Sequence, residues 1–529
     1  MSHSFKGTPV PSYSQYGPSK STLREREGLS SNFDVEGYDN SEPPHYEDEE
    51  YTRSRERVSL RKSTIARVAR GCVALILGAS FLMPISRIWR SRMGATSRLT
   101  DPSRLLSNGT HEFRRTVLIV SIDGLRVDYL DRGFTPHLLD ISERGLRAKF
   151  MRPVFPTVTF PNHWSLMTGL YAESHGIVAN NFWDPVSERE FNPYNTRAGS
   201  LDSFWWLGEP MWETAGKAGM ITANLMWPSP PITRTGAKPT YSVPLEEPVP
   251  LGEKLDRILA WIDLPLETRP QFISAYEPSV DIAGHNTGPY SQLVNDTLMT
   301  VDLFAKDLRD ALKTRNLTEI INVVFVSDHG MADTSHPEWV YIDDYLGKRA
   351  LEFIEHEDGW PSMGLRFSPE ANTTAYLNIL LEAAKNNSEK FDVYTHETMP
   401  ERYHYSHTPR IAPIYIIPKY GYALTTRDRG ESGMKKGLCP QNHGYDNRDF
   451  RMQAMFIAHG PFSDVAKALH RQSWIPNKNE GWHSTSDNVY VIDAFQNVEV
   501  YNLVMKLLDV PKNLWAKTNG TVGFWDRYF

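Results

Sequence analysis

Four short runs share one pattern, and together they constrain the fold more than any other feature of the chain. They are TVLIVSIDG (residues 116–124), QFISAYE (271–277), INVVFVSDHG (321–330) and QAMFIAHG (453–460). Three of them are nearly continuous in apolar residues, as strands of a parallel sheet covered on both faces are, so each run reads as a strand. Helical spacing lies between them. Val294, Leu298, Val301, Ala305, Leu308 and Leu312 recur at intervals of three and four over residues 291–313, which is the stripe of an amphipathic helix. Strand then helix, repeated, predicts an α/β fold with a doubly wound, mostly parallel sheet, whose sites form beyond the carboxyl ends of its strands. Residues 335 to about 440 lose this rhythm and gather Pro, Gly and aromatics, so they read as an inserted α+β lobe. VEVYNLVMKLLDVP, near the end, reads as a closing helix.

Polar residues collect where these strands stop: Asp123 in SIDG, Asp281 and His285 in DIAGH, Asp328 and His329 in SDHG, and His443 in NHGYD. Three carboxylates and three imidazoles without sulfur form a hard-to-borderline ligand set suited to Zn²⁺ or Mn²⁺. With only two cysteines, Cys72 and Cys439, the chain can build neither a disulfide framework nor a thiolate metal site. Two metals fit. Two divalent cations against three carboxylates leave one net positive charge, which attracts a phosphate and lets a bound hydroxyl lose its proton. Each piece also has an ordinary alternative: Asp123 as a helix cap, D-x3-H as a turn, His443 as a loop histidine. SDHG is more specific, because adjacent Asp and His at a buried strand end both need partners.

The stretch FPTVTFPNHWSLMTGLYAESHGIVANN (155–181) places Thr159 directly before Phe160-Pro161-Asn162, where proline in a first turn predicts that a helix opens. A hydroxyl there meets the positive end of the helix dipole, which suits a nucleophile for phosphoryl chemistry. The alternative is that Thr159 only caps the helix. His404 and His407 have ligand-like spacing but sit in the lobe beside Tyr403, Tyr405 and Pro409, and His163, His175 and His336 read as structural.

A net charge of -7 and a pI near 6.2 give no basic footprint, so composition offers no nucleic-acid-binding surface. Residues 1–60 are rich in Ser, Tyr, Pro and Glu, and the whole of 1–70 is expected to be a disordered cytosolic tail. The uncharged run GCVALILGASFLMPIS (71–86) lies between basic flanks; extended to residue 90, it predicts one signal-anchor transmembrane helix, followed by a stalk over 91–112. Six N-x-S/T sequons, at Asn108, Asn295, Asn316, Asn372, Asn386 and Asn519, all follow that run. Their asymmetry predicts a type II membrane protein with residues 113–529 lumenal or extracellular.

SIDGLR, the 155–181 stretch, DIAGHNTGP, SDHGM and NHGYD, in this order, resemble the type I phosphodiesterases and nucleotide pyrophosphatases of the alkaline phosphatase superfamily. The resemblance covers roughly residues 113–515 and looks like the short fungal-type members. It implies a catalytic domain with a sheet of alkaline phosphatase type and two Zn²⁺. One zinc would be held by Asp281, His285 and His443, and the other by Asp123, Asp328, His329 and the Thr159 oxygen. It further implies that Thr159 is the nucleophile, that Asn180 donates to a phosphate oxygen, and that Phe160 and Tyr276 stack on a nucleobase. Nucleotides are the implied substrates. Lysophospholipid and choline phosphodiesterases of the same family share these ligands, and a catalytically silent surface-binding protein is a further alternative.

Overall fold

The computed structural model describes residues 104–193, 197–245, 249–334, 337–429, 442–472 and 490–529. The expected anchor at 71–90, the tail before it, both cysteines and His336 lie outside the described residues. Among the described residues, no helix is long and apolar enough to cross a membrane.

Six strands of the central sheet precede the lobe: β1 (Thr116–Ile122), β2 (Leu146–Ala148), β3 (Thr222–Leu225), β4 (Tyr241–Val243), β5 (Phe272–Glu277) and β6 (Ile321–Val326). The lobe adds β7 (Ile354–Asp358), β8 (Met363–Phe367), β9 (Phe391–Tyr394) and β10 (Ile414–Pro418), an antiparallel sheet in the order β7-β8-β10-β9. β11 (Phe456–His459) and β12 (Val491–Ile492) return to the central sheet, whose order is β12-β2-β11-β6-β1-β5-β3-β4. β11 runs antiparallel to β6 and β2, and the other neighbours are parallel. The sheet is therefore mixed, and QAMFIAHG is the strand that opposes the rest. The cause is its point of entry. Residues 442–455 lie at the carboxyl ends of the parallel strands, where Gly330 N–H donates to Met452 O and Ser327 N–H to Met455 O, each at 3.1 Å; a chain entering at that edge must run back.

Eight helices serve the argument: α1 (Pro136–Arg144), α2 (Thr159–Thr168), α3 (Leu251–Ile262), α4 (Ser279–Thr287), α5 (Gln292–Thr314), α6 (Thr373–Asn386), α7 (Pro461–Gln472) and α8 (Glu499–Leu507). Successive β1 residues feed opposite faces of the sheet, as the pleat requires. Val117 and Ile119 join a core with Trp164 and Leu166 of α2 and Val500 and Leu503 of α8. Leu118, Val120 and Ile122 join a second core with Leu138 of α1, Ile258 of α3 and the α5 stripe. All six residues of that stripe are buried, each contributing about 1.5–3 kcal/mol of hydrophobic stabilisation in the larger cases. The Ser291 side chain begins α5 by accepting the Val294 N–H at 3.2 Å, and this cap fixes the start of the helix.

Candidate active site and metal centre

Parallel register carries the acidic residues to one edge. In the pairing of β1 with its two neighbours, Ile122 lies opposite Glu277 and Ser121 opposite Val326. Asp123 leaves β1 beside Glu277, whose carbonyl accepts the Asp123 N–H at 2.9 Å. Asp328 follows the end of β6. Asp281 and His285 lie four residues apart on α4 and so share a helix face. Gly124 admits that helix: its φ is +67°, and a Cβ there would meet Asp281 Cα and Cβ at 3.0 Å. His443 returns from beyond the lobe because Ala332 N–H donates to Asn442 O at 2.9 Å, bridging the two segments.

The loop entering α2 is folded over the helix start by buried Asn162. Its Oδ1 accepts the Val154 N–H at 2.8 Å, and its Nδ2 donates to Val158 O at 2.9 Å and Pro156 O at 3.0 Å. Val158 occupies the cap position with extended backbone, and Thr159 is the first helical residue. Thr159 makes no side-chain cap. The capping oxygen comes from Asn180, whose Oδ1 accepts the Phe160 N–H at 3.0 Å. The Thr159 hydroxyl instead lies 3.4 Å from His329 Nε2.

Around that hydroxyl the six predicted ligands converge. His329 Nε2 is 3.0 Å from Asp328 Oδ2 and 3.4 Å from Asp123 Oδ1. Asp281 lies 3.4 Å from His285 Nε2 and 3.5 Å from His443 Nε2, and the two imidazole nitrogens are 3.0 Å apart. The His329 and His443 rings stack at 3.6 Å. Their outer nitrogens are held by carbonyls: His329 Nδ1 donates to Gly330 O at 2.8 Å, and His443 Nδ1 to Thr157 O at 2.9 Å. With Nδ1 occupied by a carbonyl, each ring turns Nε2 into the cluster, the orientation a metal-ligating histidine requires.

The donor set fits divalent cations. Asp123 Oδ1, Asp281 Oδ1 and Asp328 Oδ2 are buried without hydrogen-bond partners, an arrangement that is expensive unless a cation is shared among them. Two groups have ligand atoms within 4.8 Å of one another, Asp281 with His329 and His443, and Asp123 with Asp328 and His329. Burial, reinforced by the Asp328 and Asp281 charges, pushes the Asp123 carboxyl well above its usual range. Burial also acts on Asp328, but the His329 and His163 imidazoles outweigh it and hold that carboxyl well below. Carboxylates crowded together in this way repel one another, and a cation shared among them would relieve that repulsion.

A family model described as type I phosphodiesterase / nucleotide pyrophosphatase matches residues 117–446. The chain belongs to this family. It is 37% identical over 419 residues to an uncharacterized pyrophosphatase/phosphodiesterase of Schizosaccharomyces pombe, covering 78% of this chain and 80% of that one. It is 32% identical to mouse ectonucleotide pyrophosphatase/phosphodiesterase family member 3 over 411 residues, 77% of this chain. The match spans 43% of the mouse relative, less than half its length. In structure it is similar to murine ectonucleotide pyrophosphatase/phosphodiesterase 5, with a TM-score of 0.65 at 29% identity over 78% of this chain and 98% of that one. An inactive threonine-to-alanine variant of that murine protein in complex with AMP aligns with a TM-score of 0.65 at 29% identity, over 77% and 98% of the two chains.

One expectation needs correction. Tyr276 is 5% exposed, packs edge-on against His163 at 5.0 Å, and donates its hydroxyl to Asp123 Oδ2 at 2.6 Å. A ring enclosed in this way offers no face to a base; it serves the carboxylate. Phe160 is also buried, edge-on to Phe191 and Trp206. The lobe histidines lie among other partners, His404 stacked on Tyr171 at 3.9 Å and His407 3.0 Å from Glu173. His175 accepts the Ile177 N–H and contacts Ser165 and Pro161 O. His163 does more than a structural histidine: between Ser121 Oγ at 2.9 Å and Thr159 O at 2.9 Å, it also reaches Asp328 Oδ2 at 3.3 Å. Its spacing of four from Thr159 was the available signal.

Proposed function

We propose that this family member is a dizinc phosphodiesterase and nucleotide pyrophosphatase. It hydrolyses nucleoside triphosphates and related nucleotide phosphodiesters to nucleoside 5′-monophosphates through a covalent nucleotidyl-threonine. The observation that carries the reading is the Thr159 hydroxyl at the start of α2, 3.4 Å from His329 Nε2, the imidazole nitrogen that also lies 3.0 Å from Asp328 and 3.4 Å from Asp123. Asp281, His285 and His443 would hold one zinc, and Asp123, Asp328, His329 and the Thr159 oxygen the other. Bound there, zinc supplies Lewis acidity that favours an ionised hydroxyl and offsets phosphate charge. Thr159 Oγ1 attacks phosphorus, and the bond to the leaving group, pyrophosphate for a triphosphate, breaks. Water then cleaves the threonyl ester and restores the hydroxyl.

Asn180 donates from its amide nitrogen to a non-bridging phosphate oxygen, its Oδ1 being turned toward the Phe160 N–H. A neutral amide suits a diester, which carries less charge than the dianion a guanidinium would match. No arginine lies between Thr159 and Asn180. Phe160, the residue after the nucleophile, is the ring assigned to the base; unlike Tyr276 it has no hydroxyl committed to a carboxylate, and side-chain rotation away from Phe191 and Trp206 would present its face. That AMP was captured by a threonine-to-alanine variant of the murine neighbour supports both the nucleophile and the substrate class. The enzyme is anchored by residues 71–90 with its body lumenal or extracellular, a reading supported by the exposed sequon residues Asn316, Asn372, Asn386 and Asn519 and by the names of ecto-enzymes among its relatives.

The test is Thr159→Ala assayed on a chromogenic nucleotide phosphodiester and on a choline phosphodiester. Loss of the nucleophile should lower kcat about 1,000-fold or more, while Thr159→Ser retains activity and yields an acid-quenched nucleotidyl adduct. A folded, metal-loaded alanine variant turning over near the parental rate would exclude the covalent route. Faster turnover of the choline ester would move the enzyme to the lipid-headgroup branch.

A further inference from the structure

The strip that carries Asn180 is gripped by the inserted lobe on both sides of that residue. Two positions earlier, Val178 O accepts from the Tyr405 hydroxyl at 2.8 Å. One position later, Asn181 O accepts the Gly359 N–H at 3.0 Å. Gly359 has φ +77°, a left-handed conformation that favours glycine in the turn after β7 that donates to the strip. Beyond these contacts stand two buried ion pairs. Asp358 Oδ1 accepts the Trp183 N–H at 2.8 Å while its Oδ2 accepts from Arg366 Nε at 2.9 Å. Arg410 donates from Nη1 to Gly176 O at 2.9 Å and from Nε to Asp184 Oδ2 at 3.2 Å. Arg366 in turn donates to Arg410 O at 2.8 Å, joining the two pairs into one frame.

We propose that the inserted lobe is the positioning element of Asn180, with Tyr405 and Asp358 as positioning residues that fix where its amide meets the substrate phosphate. The inference rests on the reading of Asn180 as the phosphate donor. Its physical basis is that backbone carbonyls two residues before and one after a side chain determine where that side chain projects. A displacement well under an ångström lengthens a hydrogen bond that is useful only when placed for the transition state. Neither Tyr405 nor Asp358 touches substrate. Both belong to a lobe remote in sequence from this strip, 227 residues away in the Tyr405 contact and 175 in the Asp358 contact.

A double-mutant cycle on the full-length chain tests this. Tyr405→Phe, Asp358→Ala and Asp358→Asn are each made in the parent and in Asn180→Ala, and kcat and KM are measured on a chromogenic nucleotide phosphodiester, with melting temperature and zinc content alongside. In the parent, Tyr405→Phe should lower kcat/KM about 3- to 10-fold and Asp358→Ala about 10- to 100-fold, mostly in kcat and at unchanged zinc content. Asp358→Asn keeps an oxygen for the Trp183 N–H and should recover most of the loss. In Asn180→Ala the same changes should have less than about a 2-fold effect. Losses equally large in both backgrounds would overturn the proposal and leave the role of Asn180 standing. An Asn180→Ala enzyme as fast as the parent would overturn that role and the proposal with it. Should Asp358→Ala not fold, the removal of one hydroxyl in Tyr405→Phe decides alone.

Discussion

The residues that surround the ligands divide by what they give the carboxylates. Gly330 O and Thr157 O orient two imidazoles, Gly124 N–H donates to Asp328 Oδ1 at 3.2 Å, and the Tyr276 hydroxyl donates to Asp123 Oδ2. Burial, with the nearby Asp123 charge, pushes the Tyr276 phenol well above its ordinary value. Removing that hydroxyl leaves Asp123 with one fewer partner in a site already crowded with negative charge. Tyr276→Phe should therefore weaken zinc affinity about 10- to 100-fold, the usual scale for a supporting hydrogen bond at a metal site. It should lower activity equally on a nucleotide and on a small diester lacking a base. Competition with a chromophoric chelator measures the first effect and the ratio of kcat/KM values the second. A selective loss on the nucleotide with zinc affinity intact would restore the ring to the base. The six candidate ligands were legible in the sequence as a set because each lies in a short polar motif such as SIDG, DIAGH or SDHG. Tyr276 was misplaced because its hydroxyl meets a partner 153 residues away, a relation that no spacing records.

At the scale of elements, legibility follows the range of the interactions. The α5 stripe was readable because helix periodicity is local, and the observed helix begins within a residue of the expected start. The direction of β11 was not, since an apolar run carries no sign of which edge of the sheet it enters. Nor was the device that starts α4. Glu277, at the end of β5, accepts the Ser279 N–H with Oε1 at 2.9 Å and pairs through Oε2 with buried Lys254 of α3 at 2.7 Å, while Lys254 also donates to Tyr276 O at 3.1 Å. One side chain thus opens the helix bearing Asp281 and His285, and its own carbonyl holds the Asp123 N–H. Lys254→Met strands the Glu277 charge and should destabilise the fold by about 3–5 kcal/mol, whereas Lys254→Met with Glu277→Gln keeps an acceptor for Ser279 and should recover most of it. Urea unfolding of both variants compares them. A single variant as stable as the double would mean that Glu277 is solvated in solution.

Across the described molecule, the candidate centre ties together segments that enter the sheet far apart in the chain. Asp123 follows β1, Asp281 and His285 ride on α4, Asp328 and His329 follow β6, and His443 arrives after the lobe, held by the bridge between Ala332 and Asn442. The two cores beneath this edge are large, so the secondary structure should survive removal of any cation. Its upper rim is another matter, because three carboxylates converge there, each with a buried oxygen that accepts no hydrogen bond. A cation that binds only the folded chain stabilises it by mass action, about 2.7 kcal/mol when present at one hundred times its dissociation constant. Stripping the metal should therefore lower the melting temperature by several degrees. Proteolysis should then begin at the segments leading to and from His443, while the secondary-structure content measured by circular dichroism stays nearly unchanged. Zinc should restore both properties, and magnesium should do so poorly, since a set of imidazoles and carboxylates favours the former. A chain verified as metal-free that melts and resists protease like the loaded enzyme would show that the rim holds itself together by hydrogen bonds alone, and the dizinc reading would fall with that result.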